Sequence, residues 1–543
     1  MTDTERRTAA AKFAADWKDR GDEKQETQRF WLSLLQNVCG EEHPTDVIEF
    51  EKRVSVVNND GTATTKYIDG YIPATQTLIE QKGMKIDLRK GERQSDGAML
   101  TPFQQGRRYG GSLPKPELSY IIGNPPFVGA RMMGAEQKKD VNSIFPGWKN
   151  AGNWDYVSCW YKKATDLMTG TSIRAALVST NSVTQGEAVA NLWKPLFNAG
   201  VHIDFAHRTF RWDSEAKIKA HVHCVIVGFS TAPNDKPKII YSSDRPTIVQ
   251  NINGYLIDGE NIFIENRSDP IQDFVPPARS GNKPIDNGNN LFKKEEMIAF
   301  TKIEPSASKY FKRWYGAEEF INKKERYCLW LRDCPPNELR KMPECMKRVE
   351  AVRQFRLASK SAGTVKLADK PTRFHVETMP SENYLILPLT SSERRKYVPI
   401  GFMSPDSLAS NLVTVVTNAT LYHFGILTSN VFMAWMRAVC GRLKSDYRIT
   451  KDNVYNNFPW PTPTDAQKAK IEQTAQAILD ARVLYPDASL ADLYDETTMP
   501  PELRKAHQQN DKAVMQAYGF SVKDMTESKC VAELMKMYQK LTE

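Results

Sequence analysis

An apolar run that stops at two consecutive prolines is the feature that most constrains this chain of 543 residues. Residues 117–123 read ELSYIIG, and Asn124-Pro125-Pro126-Phe127 follows directly. The run predicts a buried strand, and the prolines lack the N–H that a further rung of the sheet would need. Ligands of open α/β sheets bind beyond the carboxyl ends of the strands. The sequence therefore predicts a functional loop at residues 124–127.

Each position of this loop suits the capture of an exocyclic amine on a nucleic-acid base. Such an amine is a poor nucleophile because its lone pair is delocalised into the ring. The Asn124 side-chain carbonyl and a neighbouring main-chain carbonyl can accept both amine hydrogens and localise that lone pair. Pro125 and Pro126 fix φ at values that aim the carbonyls outward, and Phe127 offers a face on which a flipped base can stack. The alternative is a plain Pro-Pro turn after a strand.

Polar segments at two later strand–helix transitions are candidates for the same pocket. Residues 153–156 read NWDY, and residues 179–182 read STNS. Each segment is equally well explained by residues that cap the start of a helix.

The order of apolar segments indicates an α/β fold. Residues 117–123, 173–180, 201–210 and 221–230 have the character of strands, and amphipathic helices are expected near 155–168 and 187–198. This order favours a sheet with parallel strands. Residues 231–290 are rich in proline and asparagine and are predicted to form a loop or linker. Helices are expected at the N-terminus and again from residue 464 onward.

Composition bounds the class of protein without fixing its function. Lys and Arg number 74 against 65 Asp and Glu, a net charge of +9 that is compatible with a polyanionic partner. No apolar stretch approaches the roughly 18 residues of a membrane span, and the N-terminus lacks the apolar core of a signal peptide. The eight cysteines include no Cys-x-x-Cys pair. We expect a cytoplasmic protein.

A second constellation, Asp69, Glu80 and Lys82, indicates phosphodiester chemistry. Asp69 and Glu80 on adjacent strands of a hairpin could share one Mg²⁺, and Lys82 could position the attacking water. Charged residues on a solvated strand face are the alternative.

A basic tract further along the chain indicates contact with phosphates. Residues 340–373 hold ten Lys or Arg against three acidic residues, a net of 10 − 3 = +7. Residues 441–461 interleave cations with aromatic residues, which suits contact with bases or backbone. A solvated helix face is the alternative for the tract. The candidate DNA-binding residues are Arg348, Arg353, Arg356, Lys444, Tyr447 and Arg448.

Together these segments resemble the MmeI-like family of single-chain restriction–modification enzymes. The segments that carry the resemblance are KYIDG with TLIEQKG, LSYIIGNPPFVGARMM, NAGNWDYVSCWYKKATDL, RAALVSTNS and RLKSDYRITKDNVYNNFPWP, spread over residues 25–461. The family joins a PD-(D/E)xK nuclease, an N6-adenine DNA methyltransferase and a target-recognition domain.

The resemblance implies a multidomain α/β protein with double-stranded DNA as partner. It implies an α+β nuclease-like domain at 1–113, the catalytic half of a Rossmann-like class I methyltransferase at 114–290, a mixed target-recognition domain at 291–460 and a helical tail at 461–543. Asp69, Glu80 and Lys82 would form the nuclease site, with Asp69 and Glu80 on Mg²⁺. The loop at residues 124–127 would hold the adenine that receives a methyl group from S-adenosylmethionine.

The chain departs from the family pattern on the cofactor side. Members carry a helical connector and a glycine-rich S-adenosylmethionine loop ahead of the catalytic loop, and no such loop is found here, so no cofactor-binding residue is identified. A deletion that joins two family segments would give this junction, and a partner chain could supply the missing lobe. We expect an adenine-specific DNA methyltransferase. The alternatives are a Mg²⁺-dependent endonuclease and a DNA-binding subunit without its own catalysis.

Overall fold

The chain forms two structural units in the computed structural model, which describes residues 3–17, 20, 23–57, 63–75, 77–79, 81, 92–93, 99–100, 105, 118–213, 221–242, 246–443 and 445–543. The first unit comprises Met1–Thr180, Lys194–Lys219 and Cys224–Ile252. The second comprises Asn181–Trp193, Ala220–His223 and Asn253–Glu543.

The first unit begins with helices and continues into antiparallel hairpins, as the sequence predicts. Strands β1, β2 and β3 pair in that order, and Val54, Val56 and Ile68 pack together on one face. The alternation of buried and exposed residues along these strands produces that apolar face. The elements are α1 (Asp3–Asp16), α2 (Glu23–Leu34), α3 (Pro44–Val47), β1 (Glu49–Val57), β2 (Ala63–Ile72), β3 (Thr77–Ile79), β4 (Glu92–Arg93) and β5 (Met99–Leu100).

A six-stranded sheet follows in the same unit, with strand order β11-β10-β8-β9-β7-β6. Helices lie between its first strands, as expected for an α/β fold. The elements are β6 (Tyr120–Gly123), α4 (Ala135–Ile144), α5 (Ser158–Met168), β7 (Arg174–Thr180), α6 (Lys194–Asn198), β8 (His202–Asp213), β9 (His221–Ser230), β10 (Lys238–Tyr241) and β11 (Pro246–Val249).

The sheet is mixed, so the expectation of parallel strands is correct for two pairs and wrong for others. Strand β6 pairs parallel with β7, and β8 pairs parallel with β10. Strand β9 is antiparallel to β7, and β11 is antiparallel to β10. Only residues 214–220 connect β8 to β9, fewer than the dozen or so that a parallel crossover needs. Chain length therefore decides the direction of β9.

Helix α5 covers the middle of this sheet. The fully buried Tyr161 stacks on Phe229 of β9, with 5.2 Å between ring centroids. Its hydroxyl lies 2.8 Å from the Ser179 hydroxyl of β7, so the buried polar atoms satisfy each other. On β9, Gly228 leaves room for the ring of Phe205, because a Cβ there would stand 2.1 Å from a ring carbon.

The segment predicted to be a loop or linker is built into the protein, and that expectation is corrected. Strands β10 and β11 fall within residues 231–290, and so does β12 (Ala278–Ser280). Buried residues of the same segment include Tyr255 and Ile264. Pro and Asn content marks irregular backbone here, but that backbone is packed.

The second unit contains three small sheets, with strand orders β12-β20-β16-β18, β13-β15-β14-β19 and β17-β22-β21. Its strands after β12 are β13 (Leu291–Lys293), β14 (Phe311–Tyr315), β15 (Arg326–Leu329), β16 (Tyr384–Pro388), β17 (Thr390–Ser391), β18 (Gly401–Met403), β19 (Ser407–Ala409), β20 (Val413–Val416), β21 (Gly441–Leu443) and β22 (Asp446–Arg448). Its helices before residue 464 are α7 (Lys294–Ile303), α8 (Ala317–Ile321), α9 (Pro336–Leu339), α10 (Pro343–Leu357), α11 (Ala362–Lys366), α12 (Leu421–Leu427) and α13 (Asn430–Val439).

Helices close the chain, which confirms the predicted helical tail. They are α14 (Asp465–Val483), α15 (Leu490–Leu493), α16 (Pro501–Ala517) and α17 (Glu527–Thr542). Among the residues that the structure describes, no helix combines the length and apolar character needed to cross a membrane. The prediction of a multidomain α/β protein with a mixed domain and a helical tail is confirmed.

A buried carboxylate ties helix α16 to the rest of the second unit. Asp511 accepts hydrogen bonds from the Tyr397 hydroxyl at 2.6 Å and from the backbone N–H of Asn430 at 2.7 Å. Burial raises the pKa of Asp511 to about 6, against an ordinary value of 3.8. The folded state therefore binds the Asp511 proton more tightly than the unfolded state does.

This difference predicts a pH dependence of stability that Asp511→Asn removes. The folded pKa is the higher one, so ionisation of Asp511 costs stability as pH rises from about 4 to about 6, and the loss is complete above that range. A gap of about two pH units corresponds to about 3 kcal/mol. We expect Asp511→Asn to raise the melting temperature at pH 8 more than at pH 5, measured by thermal unfolding. An equal change at both pH values would contradict the prediction.

Candidate functional site

The Asn124–Phe127 loop begins where strand β6 ends, as the sequence predicts. Gly123, the last residue of β6, lies opposite Leu177 of the parallel neighbour β7. Pro125 is buried, Phe127 is half-buried and Asn124 is exposed. Within the described part of the chain, the Asn124 side chain makes no hydrogen bond of its own, so its amide is available to a ligand. The buried proline fixes the backbone from which Asn124 projects.

Asp155 and Tyr156 hold the far side of this loop. The Tyr156 backbone N–H donates to the Val128 carbonyl at 2.9 Å. Thr180, at the end of β7, donates its hydroxyl to Asp155 Oδ2 at 2.6 Å. Asp155 Oδ1 lies so close to Gly129 that a Cβ there would be 3.3 Å away. Asp155 thus links the loop after β6 to the carboxyl end of β7.

The sequence did not reveal this bridging role. It offered residues 153–156 and 179–182 as pocket-lining or helix-capping segments. In the structure, these two segments support the loop through Asp155, Tyr156 and Thr180, and these three residues lie in the first unit. The signal that could have found Thr180 is its position at the end of β7, at the edge of the sheet where ligands bind, while Asp155 and Tyr156 stand just before helix α5.

A second contact braces Tyr156 itself. Its hydroxyl donates to Asp140 Oδ2 at 2.5 Å, and its ring meets Trp160 edge to face at 5.0 Å. Burial, followed by the carboxylate of Asp140, raises the pKa of Tyr156 well above its ordinary value. The phenol therefore remains a hydrogen-bond donor at physiological pH and serves to anchor the backbone N–H that grips Val128.

The structure describes one of the three predicted nuclease residues. Asp69 on β2 accepts a hydrogen bond from the backbone N–H of Gln81 at 2.6 Å, and the Gln81 side chain accepts one from Trp31 Nε1. Glu80 and Lys82 lie outside the described residues. Among the residues that are described, no group of three or more His, Cys, Asp or Glu could hold a metal ion. A Mg²⁺ site at Asp69 and Glu80 stays a prediction.

Arg356, predicted to contact DNA, lies in the interior of the second unit, and this assignment is corrected. Its side chain is fully buried on helix α10. Nε donates to the carbonyl of Ile285 at 2.9 Å, and the other two nitrogens donate to four more carbonyls at 2.8–3.1 Å. Those four acceptors are Leu367, Lys370, Pro284 and Arg373. All five N–H groups of the guanidinium are used, so none remains for a phosphate.

The other predicted DNA-binding residues have different surroundings. Arg353 is exposed, with one long ion pair of 3.9 Å to Glu350. Arg348 is half-buried over the ring of Phe292, 4.2 Å from its centroid. Arg448 is half-buried, and Lys444 lies outside the described residues. Arg353 therefore has the side chain most open to a phosphate among those described here.

The aromatic residues of 441–461 form core, which corrects the expectation that they face DNA. Tyr447 is 6% exposed, and Arg442 lies over its ring at 4.1 Å. Tyr455, Phe458 and Trp460 are each 0–1% exposed.

Hydrogen bonds from residues 456–460 hold residues 265–272 in place, within the segment that the sequence predicts to be a linker. Asn457 donates to the carbonyl of Glu265 at 2.8 Å, and Asn456 donates to that of Arg267 at 2.8 Å. The backbone N–H of Trp460 donates to the side chain of Gln272 at 2.7 Å. Sequence reasoning could not separate aromatic residues that stack on bases from aromatic residues that fill a core.

The sheet and loop belong to an α/β protein, and comparison with family models names its family. Four models match along the chain, and the first two overlap at residues 74–128: MmeI, N-terminal domain, at residues 8–128; MmeI, DNA-methyltransferase domain, at 74–242; MmeI, target recognition domain, at 258–462; and MmeI, C-terminal domain, at 463–543. The chain belongs to the MmeI family, which confirms the resemblance found in its sequence.

Individual relatives are longer than this chain. DNA methyltransferase A of Bacillus subtilis (strain 168) is 39% identical over 425 residues, which make up 78% of this chain and 48% of the relative. A solved structure of the Type IIL restriction-modification enzyme MmeI in complex with DNA is 45% identical, with a TM-score of 0.75. That likeness covers 80% of this chain and 58% of the solved one. The chain thus spans about half the length of these relatives.

Arg356 offers a test of its structural role. Lysine has three donors on a single nitrogen and cannot serve five carbonyls, so Arg356→Lys leaves buried acceptors without partners. We expect it to lower the free energy of unfolding of this unit by about 3 kcal/mol. Chemical denaturation and hydrogen exchange of residues 367–373 measure the loss. Arg353→Lys is the matched control and should stay within about 0.5 kcal/mol of wild type. Equal effects of the two variants would refute the structural role.

Proposed function

We propose that this chain supplies the adenine-holding and target-recognising parts of a site-specific DNA adenine-N6 methyltransferase of a restriction–modification system. The observation that carries the proposal is the Asn124–Phe127 loop at the carboxyl end of β6. That loop lies within the stretch that matches the MmeI DNA-methyltransferase domain. The match to an MmeI target recognition domain at residues 258–462 supports double-stranded DNA as the partner.

The loop's exposure pattern suits the chemistry of a flipped adenine. The exposed Asn124 amide can accept one hydrogen of the N6 amine through its carbonyl, and the Pro125 carbonyl can accept the other. Both bonds localise the nitrogen lone pair, which raises its nucleophilicity. Phe127 is half-buried, so part of its side chain is exposed and could stack on the base. The N6 proton can leave to water after methyl transfer, so no strong general base is needed.

Asp155 and Tyr156 act as positioning residues in this proposal. They contact neither base nor donor in our assignment, but they fix the backbone that follows Phe127. The Thr180–Asp155 hydrogen bond ties the same backbone to the neighbouring strand. An error of about 1 Å in the loop would disturb both acceptors of the amine, and small displacements of catalytic groups cost large factors in rate.

The cofactor side does not fit. Membership in a DNA-methyltransferase family implies S-adenosylmethionine as methyl donor. Its usual cradle is a glycine-rich turn between a strand and a helix. The chain has 29 glycines, yet no two of them are separated by a single residue. The described sheet also extends to one side of β6 only. We therefore assign no residue of this chain to the cofactor.

Discrimination between adenine and purine tests the adenine-holding role without the methyl donor. The bound site is first selected from random duplex DNA, and each adenine in it is then replaced by purine, which lacks the N6 amine. We expect one replacement to weaken binding by wild type about tenfold, equivalent to about 1.4 kcal/mol, since it removes two hydrogen bonds. Asn124→Ala should bind both duplexes equally.

Asn198→Ala is the matched control, because Asn198 is exposed at the end of α6 and should leave the tenfold preference intact. The proposal fails if no adenine position shows the preference, or if Asn124→Ala retains it.

A Mg²⁺-dependent DNA endonuclease is the second candidate function. The hydrogen bond from Gln81 to Asp69 favours it, because it brings the end of β3 beside the carboxylate on β2. A match to the MmeI N-terminal domain covers the same residues. The metal, Asp69, Glu80 and Lys82 would act together on a phosphodiester.

Cleavage of plasmid DNA with Mg²⁺ tests this second function. We expect wild type to nick or cut DNA and Lys82→Ala to reduce the rate at least a hundredfold, since the lysine would position the attacking water. Lys12→Ala, an exposed lysine on α1, should cut as wild type does. Wild-type protein that leaves plasmid intact across metal concentrations would exclude the endonuclease.

A further inference from the structure

In the described residues, the other strands of the six-stranded sheet all lie on one side of β6. Strand β6 is the first strand of this sheet along the chain, and every later strand of the sheet lies on the side of β7. In the described part of the chain, no strand pairs with the other edge of β6. A doubly wound sheet instead extends both ways from a switch point, and its ligand binds in the crevice there. The Asn124–Phe127 loop stands at that point, with one wall of the crevice provided.

The open edge of β6 is apolar. Ile122 is 71% exposed and Tyr120 is 45% exposed, and the two side chains project on the same face because they are two residues apart. Strands of parallel sheets are normally covered on both faces. An edge strand with exposed apolar residues is a template for pairing with another chain. Among the described residues, Tyr120 and Ile122 are thus apolar side chains of a sheet strand that no neighbouring strand or helix covers.

We propose that the β6 edge, with Tyr120 and Ile122, is the docking surface for a second protein chain that carries the cofactor-binding half of a methyltransferase sheet. The proposal rests on the proposed function above. The partner would add a strand beside β6, place a glycine-rich strand-to-helix turn opposite Asn124, and cover the exposed face with a helix.

A partner chain with the cofactor-binding half is favoured as the occupant of this surface by three arguments. The relatives contain about as much sequence again as the part that matches, so a lobe of this kind has room in them. The chain lacks any pair of glycines at Gly-x-Gly spacing. A second copy of this chain would bring the same half of the sheet and would leave the cofactor without a cradle.

Co-expression with a supplied lobe tests the docking surface. The full chain is expressed with a tagged fragment of Bacillus subtilis DNA methyltransferase A that precedes the strand aligned with Tyr120–Gly123. We expect the two to co-purify as a one-to-one complex that binds labelled S-adenosylmethionine, whereas the chain alone binds none. Ile122→Asp should weaken the complex at least thirtyfold.

Ile248→Asp is the matched control. Ile248 is 70% exposed on β11, the opposite edge strand of the same sheet, so the substitution adds the same charge to a similar surface. It should change affinity less than twofold. Melting temperatures of Ile122→Asp and Ile248→Asp that both equal that of wild type establish that the fold is intact.

Each other result contradicts the docking surface. These results are a fragment that stays insoluble or separate beside wild type, a chain that binds S-adenosylmethionine alone, a complex that Ile122→Asp does not weaken, and a homodimer broken by Ile122→Asp. The readouts also separate the two proposals. A complex that binds the cofactor but shows no Asn124-dependent adenine preference upholds docking and refutes the proposed function. The reverse pair of results refutes docking alone.

Discussion

Parallel pairing between Tyr120–Gly123 and Arg174–Leu177 is the constraint on which the candidate site depends. It brings the carboxyl ends of β6 and β7 to the same edge of the sheet. Because of this, one residue, Asp155, can bridge the segment that follows the Asn124–Phe127 loop and Thr180 at the end of β7. Asp155 accepts the Thr180 hydroxyl and abuts Gly129, while its neighbour Tyr156 grips Val128. A change in strand register would separate the loop from its support.

In the second unit, residues whose charge or polarity is typical of a binding surface are buried in the fold. Arg356 sits in a tract with a net charge of +7, yet its five donors are spent on backbone carbonyls inside the fold. Asn456 and Asn457 similarly bind backbone of the segment before them. Irregular backbone needs such partners, because it lacks the regular ladders of helices and sheets. A high content of basic and amide side chains in this unit therefore indicates internal hydrogen bonding as much as it indicates DNA binding.

Strand β6 carries both the candidate site and exposed apolar side chains. A short strand with Ile122 in solvent carries a loop whose residues suit an adenine, while nothing in the sequence supplies a glycine-rich turn for the methyl donor. The adenine side of a methyltransferase site and the cofactor side are physically separable, because they lie on opposite walls of one crevice. In the proposed function, a chain that contributes one wall transfers a methyl group only when the other wall is supplied to it.

The sequence by itself determined the strand–loop junction at Asn124, the order of helices and strands from β6 to β9, and the family, because these depend on local signals: proline chemistry, hydrophobic period and contiguous motifs. Tertiary structure alone decided the packing of residues 253–290 and the burial of Arg356 and Trp460. Each of these depends on contacts between residues far apart in the chain. A cation or an aromatic ring has the same letter whether it faces solvent or core. Only the surrounding fold shows which groups remain free to bind.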